Sequence, residues 1–292
     1  MSFSRTVKEE LMTYISPARH CQLAELAALI HFGGKISEDG KHILFNVENE
    51  SVVRKYFTLL QKTYNIDTVM RQEDEEKLFQ GLHLCDEAGR IENLDRPVNS
   101  LLIKNACCAR AFIRGTFLCI GSMSDPEKGY HLEFVCNTQE QAEQLRDMIQ
   151  EFQIEAKIIQ RKKYFVVYLK EGAGLVDLLN VMGAYVSLMN LENLRIVKEM
   201  RNSINRRVNC EAANITKTVN AASKQIEDIL LIKERCGFEN LPENLREIAQ
   251  VRLEYPEATL KELGEYLEPK VGKSGVNHRL RKLSEIAERM RL

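Results

Sequence analysis

Three stretches near the C-terminus repeat apolar residues three and four positions apart, the period of a helix with one buried face. In LPENLREIAQVRLEY, Leu245, Ile248, Ala249 and Leu253 share that face, and Pro256 stops the pattern. A second stretch opens at Thr259, with Glu262 three residues on as a capping box requires, and runs through Leu260, Leu263 and Leu267. A third, KSGVNHRLRKLSEIAERM, carries Val276, Leu280, Leu283, Ala287 and Met290, with Ser274 placed to cap its start. The turn between the last two, Glu268 to Gly272, is rich in breakers. The arrangement predicts a helix-turn-helix over about Ala258 to Arg291.

The third stretch has the polarity that a DNA groove asks for. A recognition helix offers donors to base edges and cations to phosphates near its N-terminal end. The set expected to contact DNA is Lys270, Lys273, Ser274, Gly275, Asn277, His278, Arg279, Arg281 and Lys282, and no acid occurs between Glu268 and Glu285. The buried stripe leaves His278, Arg281 and Lys282 opposite it, with Asn277 and Arg279 on the flanks. The same pattern also suits a three-helix protein-binding domain with a solvated basic face.

Upstream, one order of patterns occurs twice: helix, hairpin, helix, hairpin. The first copy runs from helix QLAELAALIHF through a turn at Glu38-Asp39-Gly40 to strand HILFNV, helix ENESVVRKYFTLLQKTY and strand DTVMRQ. The second runs from helix NACCARAFIRGTF through LCIGSM and a Ser124-Asp125-Pro126 turn to strand YHLEFVC and helix TQEQAEQLRDMIQEF. Strands EAKIIQRK and YFVVYLK and helix GLVDLLNVMG complete it. A repeat of about ninety residues is too long for a solenoid unit. It predicts two half-domains packed about a pseudo-twofold axis, each with an antiparallel sheet. Ala24, Ala27, Ala28 and Gly34 of the first helix are expected to face Ala109 and Gly115 of the other.

Charge and composition narrow the function. The chain has 292 residues, long enough for two or three domains, and is 44% hydrophobic and 28% charged, as soluble globular proteins are. A net charge of -1 excludes a uniformly basic nucleic-acid coat, so any DNA contact is local. No apolar run is long enough for a membrane span, and no signal peptide is visible. Eight cysteines are scattered without a Cys-x-x-Cys pair, several amid apolar neighbours, and read as reduced core thiols rather than as a zinc or disulfide framework. Neither a metal nor any other cofactor is expected.

The stretch between the duplicated part and the C-terminal helices is the most basic of the chain. Arg195, Lys198, Arg201, Arg206 and Arg207 precede Cys210, and Asn209 to Asn214 reads as a turn or cap. Arg201, Arg206 and Arg207 either track phosphate or, with the neighbouring asparagines, form hydrogen-bonded contacts that fix one domain against the other; the density of asparagines favours the second. Gln72 to Glu76 reads as a solvated acidic loop, and Arg161-Lys162-Lys163 as a wet turn.

Two resemblances organise these patterns. Leu26 to Gly34, LAALIHFGG, is similar to the LAGLIDADG motif of homing endonucleases, and FIRGTFLCIGS resembles its looser form. In that family the motif helices pack together and the last acid of each motif binds a divalent metal. Aligned on the glycines, Gly33 and Ile120 stand at the two acid positions, and neither can ligate; His31 falls where an earlier acid would sit. The opening SFSRTVKEEL, the degenerate motif, the RNSINRRVNCEAANITKTVNAASKQIEDI segment and KSGVNHRLRKL together closely resemble the bacterial WhiA family over essentially the whole chain. That resemblance implies a DNA-binding regulator acting in sporulation, or in cell division and chromosome segregation.

The sequence therefore predicts an α+β, LAGLIDADG-like duplicated domain over residues 1–187, with halves of about 1–95 and 96–187. A basic helical linker follows over 188–221, and an all-α helix-turn-helix domain over 222–292. The expected partner is double-stranded DNA, without membrane, in a cytoplasmic, nucleoid-associated protein that is not an enzyme. The alternatives are a protein-interaction scaffold with secondary DNA binding and, behind it, an active DNA endonuclease.

Overall fold

The computed structural model describes residues 2–45, 47, 49–66, 72–86 and 90–291. Its contacts divide the chain into two compact units, Met1–Lys198 and Glu199–Leu292. Among the described residues no helix is long and apolar enough to cross a membrane.

The first unit repeats one motif. Helix α1 (Phe3–Thr13) precedes α2 (Arg19–Gly33), which runs directly into β1 (Gly34–Ile36), β2 (Ile43–Phe45) and α3 (Glu50–Tyr64). After α4 (Gln72–Gly81) and the short α5 (Ser100–Ile103), α6 (Ala106–Ile120) runs in the same way into β3 (Gly121–Met123), β4 (Leu132–Cys136) and α7 (Gln139–Gln150). Strands β5 (Lys157–Arg161) and β6 (Tyr164–Leu169) and helix α8 (Gly172–Met182) close the second half. Its sheet is antiparallel in the order β3-β4-β6-β5, with Phe134 opposite Val167. The first half holds the β1–β2 pair, with Lys35 opposite Leu44. The strand expected over residues 67–72 lies outside the described residues except at its last position, which opens α4.

Local chemistry sets the helix ends. Asn49 accepts from the Ser51 amide at the start of α3, and Thr138 from the Gln141 amide at the start of α7. Asn65 ends α3 in the left-handed region, at φ 56°. The acidic run at 72–76 is the first turn of a helix, not a loop. Its acids sit at the positive end of the α4 dipole, Leu78 and Phe79 anchor the helix in the core, and Glu75 takes His42 Nδ1 at 2.8 Å.

Helices α2 and α6 form the centre. Ala24 to Ile30 are buried on every side of α2, as happens when a helix is covered all round. The seam is narrow because of Gly115. A Cβ there would lie 2.8 Å from the Ala28 Cβ and 2.8 Å from the Glu25 carbonyl oxygen. Gly34, expected in this seam, sits instead at the end of α2 against its own hairpin: a Cβ there would lie 2.5 Å from the Ile30 carbonyl oxygen and 3.0 Å from Ile43 of β2.

Across the seam lies a buried ion cluster. Arg114 of α6 grips Glu25 of α2 with Nε and Nη2, both at 3.0 Å, and its Nη1 donates to the Met182 carbonyl. Lys55 of α3 reaches the same carboxylate at 2.6 Å and donates to the carbonyls of Leu11 and Tyr14. Burial pulls the Lys55 ammonium below its ordinary pKa, while Glu25 opposes that shift.

Helix α9 (Tyr185–Cys236) begins in the first unit and continues into the second. The stretch Asn209 to Asn214 is continuous helix, not a turn, and side chains over residues 199–220 are exposed. The expected network of arginines and asparagines is accordingly replaced by local bonds. Arg206 Nε donates to the Asn202 carbonyl, Arg207 faces Glu211 one turn on at 3.9 Å, and Thr216 and Thr218 bond back to carbonyls four residues before them. The second unit then adds α10 (Glu243–Glu254), α11 (Leu260–Glu265) and α12 (Lys273–Arg291).

Candidate nucleic-acid interface

The three last helices close around one small core. Ile229 and Ile232 of α9 meet Leu245, Ile248 and Ala249 of α10, Leu263 of α11, and Val276, Leu280, Leu283 and Ala287 of α12. Of the five apolar positions read along α12, Val276, Leu280, Leu283 and Ala287 are buried and Met290 is half-buried against the same core. Thr259 and Glu262 form the reciprocal capping box that fixes the start of α11, and these bonds hold the Glu262 carboxyl below its ordinary pKa. Arg252 spans the turn before α11 with a 2.6 Å bond to the Ala258 carbonyl, and Tyr255 stacks on Tyr266 at 4.3 Å.

The turn between α11 and α12 depends on Gly264. The Val271 amide donates to its carbonyl at 3.0 Å, and a Cβ at Gly264 would fall 1.9 Å from the Val271 carbonyl oxygen. That close approach sets the entry of α12. Ser274 lies inside the first turn of α12 rather than capping it, because the helix already begins at Lys273.

The polar set divides once the helix is packed. Lys270, Lys273, Ser274, Asn277, His278, Arg281 and Lys282 are exposed, and Gly275 is half-buried. Arg281 is paired loosely with Glu285 at 3.2 Å on an open face and remains available. Arg279 is different. It is half-buried, its Nη1 lies 3.4 Å from the Asn244 carbonyl and 3.8 Å from Glu247, and it ties α12 to α10. Its flank position on the helix wheel could not show that a neighbouring helix already occupies it.

The ends of the motif helices are apolar. A Cβ at Gly33 would meet the Phe45 ring at 2.7 Å, Val47 at 2.8 Å and Cys119 Sγ at 3.2 Å, so no carboxylate fits without displacing them. At Cys119, next to Ile120, burial pushes the thiol up to about 12. His31 is buried with Nδ1 2.9 Å from the Leu94 carbonyl, a structural bond, and burial holds its pKa below 6.5. Asp39 and Asp125 serve their own turns, Asp39 accepting from Ser37 and Asp125 from the Glu127 amide.

The scattered-cysteine reading missed one convergence. Cys21, Cys107 and Cys108 gather with His20 where α2 and α6 begin, all four ligand atoms lying within 4.8 Å of one another. The signal was present as two adjacent pairs, His20-Cys21 and Cys107-Cys108, at matching positions of the two repeats.

Comparison with known proteins agrees with this architecture. Family models match the WhiA N-terminal LAGLIDADG-like domain over residues 19–81, the WhiA LAGLIDADG-like domain over 109–201, and the WhiA C-terminal HTH domain over 204–287. A probable cell division protein WhiA from Lachnoclostridium phytofermentans is 53% identical over 100% of both chains. One from Alkaliphilus oremlandii is 48% identical over 99% of this chain and 98% of its own. The full-length DUF199/WhiA crystal structure from Thermatoga maritima superposes with a TM-score of 0.59 at 28% identity, covering 99% of each chain. With three domain models in order and homology running end to end, the chain belongs to the WhiA family.

Proposed function

We propose that the protein is a sequence-specific DNA-binding regulator of WhiA type that reads the major groove with α12. The observation that carries this is the open face of α12, where Asn277, His278, Arg281 and Lys282 stand free of the core while Lys270 and Lys273 flank the helix start. Base edges are read by the first group, and phosphates, which position without specifying, by the second. Exposed Arg201, Arg206 and Arg207 on α9 add a salt-sensitive phosphate contribution. The relatives are named for cell division, and this regulator is assigned to that process or to sporulation and chromosome segregation, in the cytoplasm with the nucleoid. The LAGLIDADG-like domain is read as noncatalytic, since Gly33 and Ile120 replace the acids that metal-assisted hydrolysis needs.

Binding isotherms on cognate and random duplexes at several salt concentrations test the assignment. Arg281→Ala or His278→Ala should lower preference for the cognate site by about 1–3 kcal/mol if the lost contact is bidentate. Lys273→Ala should weaken both duplexes alike and reduce the salt slope by about one phosphate contact. Wild-type behaviour of all three variants on both duplexes would sink the reading.

A second reading has its own observation. Met200, Ile204, Val208, Ile215 and Val219 form an exposed apolar stripe on α9 and suit a protein partner. In that case removing α12 would leave partner capture intact and abolish only DNA contact.

A further inference from the structure

Four metal-ligand side chains meet at the start of the two motif helices. His20 and Cys21 are the second and third residues of α2, and Cys107 and Cys108 hold the same places in α6. His20 and Cys107 are 87 positions apart, the offset that also relates Gly34 to Gly121 at the strand starts. The duplication therefore brings two equivalent pairs face to face. His20 Nδ1 lies 3.1 Å from Cys108 Sγ, 3.4 Å from Cys21 Sγ and 3.9 Å from Cys107 Sγ.

These distances can be set against a metal centre. Zn–S bonds of about 2.3 Å and Zn–N bonds of about 2.0–2.1 Å give tetrahedral edges of roughly 3.5–3.8 Å. No pair in the cluster exceeds 4.8 Å, so closing it around a cation takes shifts of about 1 Å or less, within the reach of side-chain rotation. We propose that His20, Cys21, Cys107 and Cys108 form a structural site for a thiophilic divalent cation of the zinc class, which joins the two halves of the LAGLIDADG-like domain at the head of its central helix pair.

The ligand chemistry favours this ion. Three thiolates and one imidazole fill a tetrahedron and leave no open position, as structural zinc sites do. Binding releases three thiol protons to solvent, and His20 ligates as the neutral ring through Nδ1. The bound centre carries one net negative charge. It would sit at the N-termini of two helices whose N-caps, Ala18 and Asn105, make no side-chain cap bond, where the helix dipoles stabilise an anionic group. Ala24 and Ala111 floor the cluster, and the exposed His20 and Cys107 leave an entry path.

The test uses full-length protein kept reduced. Titration with cobalt(II) should saturate at one ion per chain and give thiolate-to-cobalt charge-transfer bands with the strong visible bands of a tetrahedral centre, which zinc then displaces. Cys107→Ser and His20→Ala change exposed side chains, and each should weaken zinc by more than about tenfold, a loss that even outer-sphere changes reach. Cys210→Ser, exposed on α9, should bind as wild type does. Zinc at about 100 times its Kd should raise the unfolding temperature of wild type by several degrees and leave Cys107→Ser unmoved. Absence of a stoichiometric tetrahedral spectrum would overturn the site, as would its survival in both variants. A disulfide joining Cys107 to Cys21 or Cys108 in protein purified without oxidant would also overturn it, by making the cluster a redox pair. Should Cys107→Ser fail to fold, His20→Ala carries the same readouts.

Discussion

At the scale of single residues, what a head group touches decides what it does. Arg279 and Arg281 are two positions apart on one helix. Arg279 rests against Asn244 and Glu247, while Arg281 faces solvent beside Glu285. Arg279→Ala is therefore expected to cost about 1 kcal/mol of folding stability through its lost bond to α10. It should leave discrimination between cognate and random DNA largely intact, the opposite of Arg281→Ala; chemical denaturation and binding isotherms of the pair check this. His31 offers a pH test. A carbonyl only accepts, so its Nδ1 donates to Leu94, and burial holds the ring neutral to below 6.5. The unfolded chain takes up the proton first. The stability due to the neutral ring is thus complete above about 6.5 and is lost as the pH falls toward the lower folded value. His31→Gln keeps a donor for Leu94 but cannot titrate. Urea unfolding between about pH 8 and pH 5 should show a smaller acid loss in that variant, and an unchanged slope would assign the loss elsewhere.

At the scale of elements, the packing of α2 on α6 rests on small side chains. Ala28 lies under Gly115 with no room to spare. Ala28→Leu is expected to overpack this contact and cost about 1–3 kcal/mol, read as a lower thermal midpoint; no change would place Ala28 elsewhere. The elements most legible in the sequence were those whose signals are local. The three C-terminal helices follow from apolar spacing, and the Thr259–Glu262 box from two residues. The α12 stripe read from Val276, Leu280, Leu283 and Ala287 is the buried one. Elements were misread where distant packing decides. Five polar and acidic residues at 72–76 look like loop until Leu78 and Phe79 are seen to hold α4 in the core. Asn209 to Asn214 looks like a break, yet one helix carries through it. At the candidate DNA face the exposed cations were legible one by one, whereas the capture of Arg279 by α10 and the non-capping place of Ser274 required the packed helices.

At the scale of the whole molecule, a duplicated LAGLIDADG-like domain precedes a helix-turn-helix, and Gly33, where the motif's last acid would stand, is closed in by Phe45, Val47 and Cys119. Gly33→Asp should therefore not create a nuclease. Incubated with supercoiled plasmid and magnesium or manganese, both the wild-type chain and this variant are expected to leave the plasmid intact, and nicking that follows wild-type protein through purification would reverse the noncatalytic reading. The duplication was legible from its repeated order of patterns. The charges buried between its halves were not, since a lone Glu25 in an apolar helix gives no hint of partners 30 and 89 residues away at Lys55 and Arg114. That cluster has an evolutionary meaning. Shifted by the repeat offset, Glu25 falls on Phe112 and Arg114 falls on Ala27, so each half carries one member of a lock and lacks the other. Two copies of the first half would keep each Glu25 paired with its own Lys55, whereas two copies of the second would bury two arginines with no acid, each an unpaired charge costing several kcal/mol. The dependence therefore runs one way: the first half carries its own counter-charge for Glu25, while the second finds an acid for Arg114 only in a first half, so a first half is the part this duplicated domain cannot replace with a copy of the other.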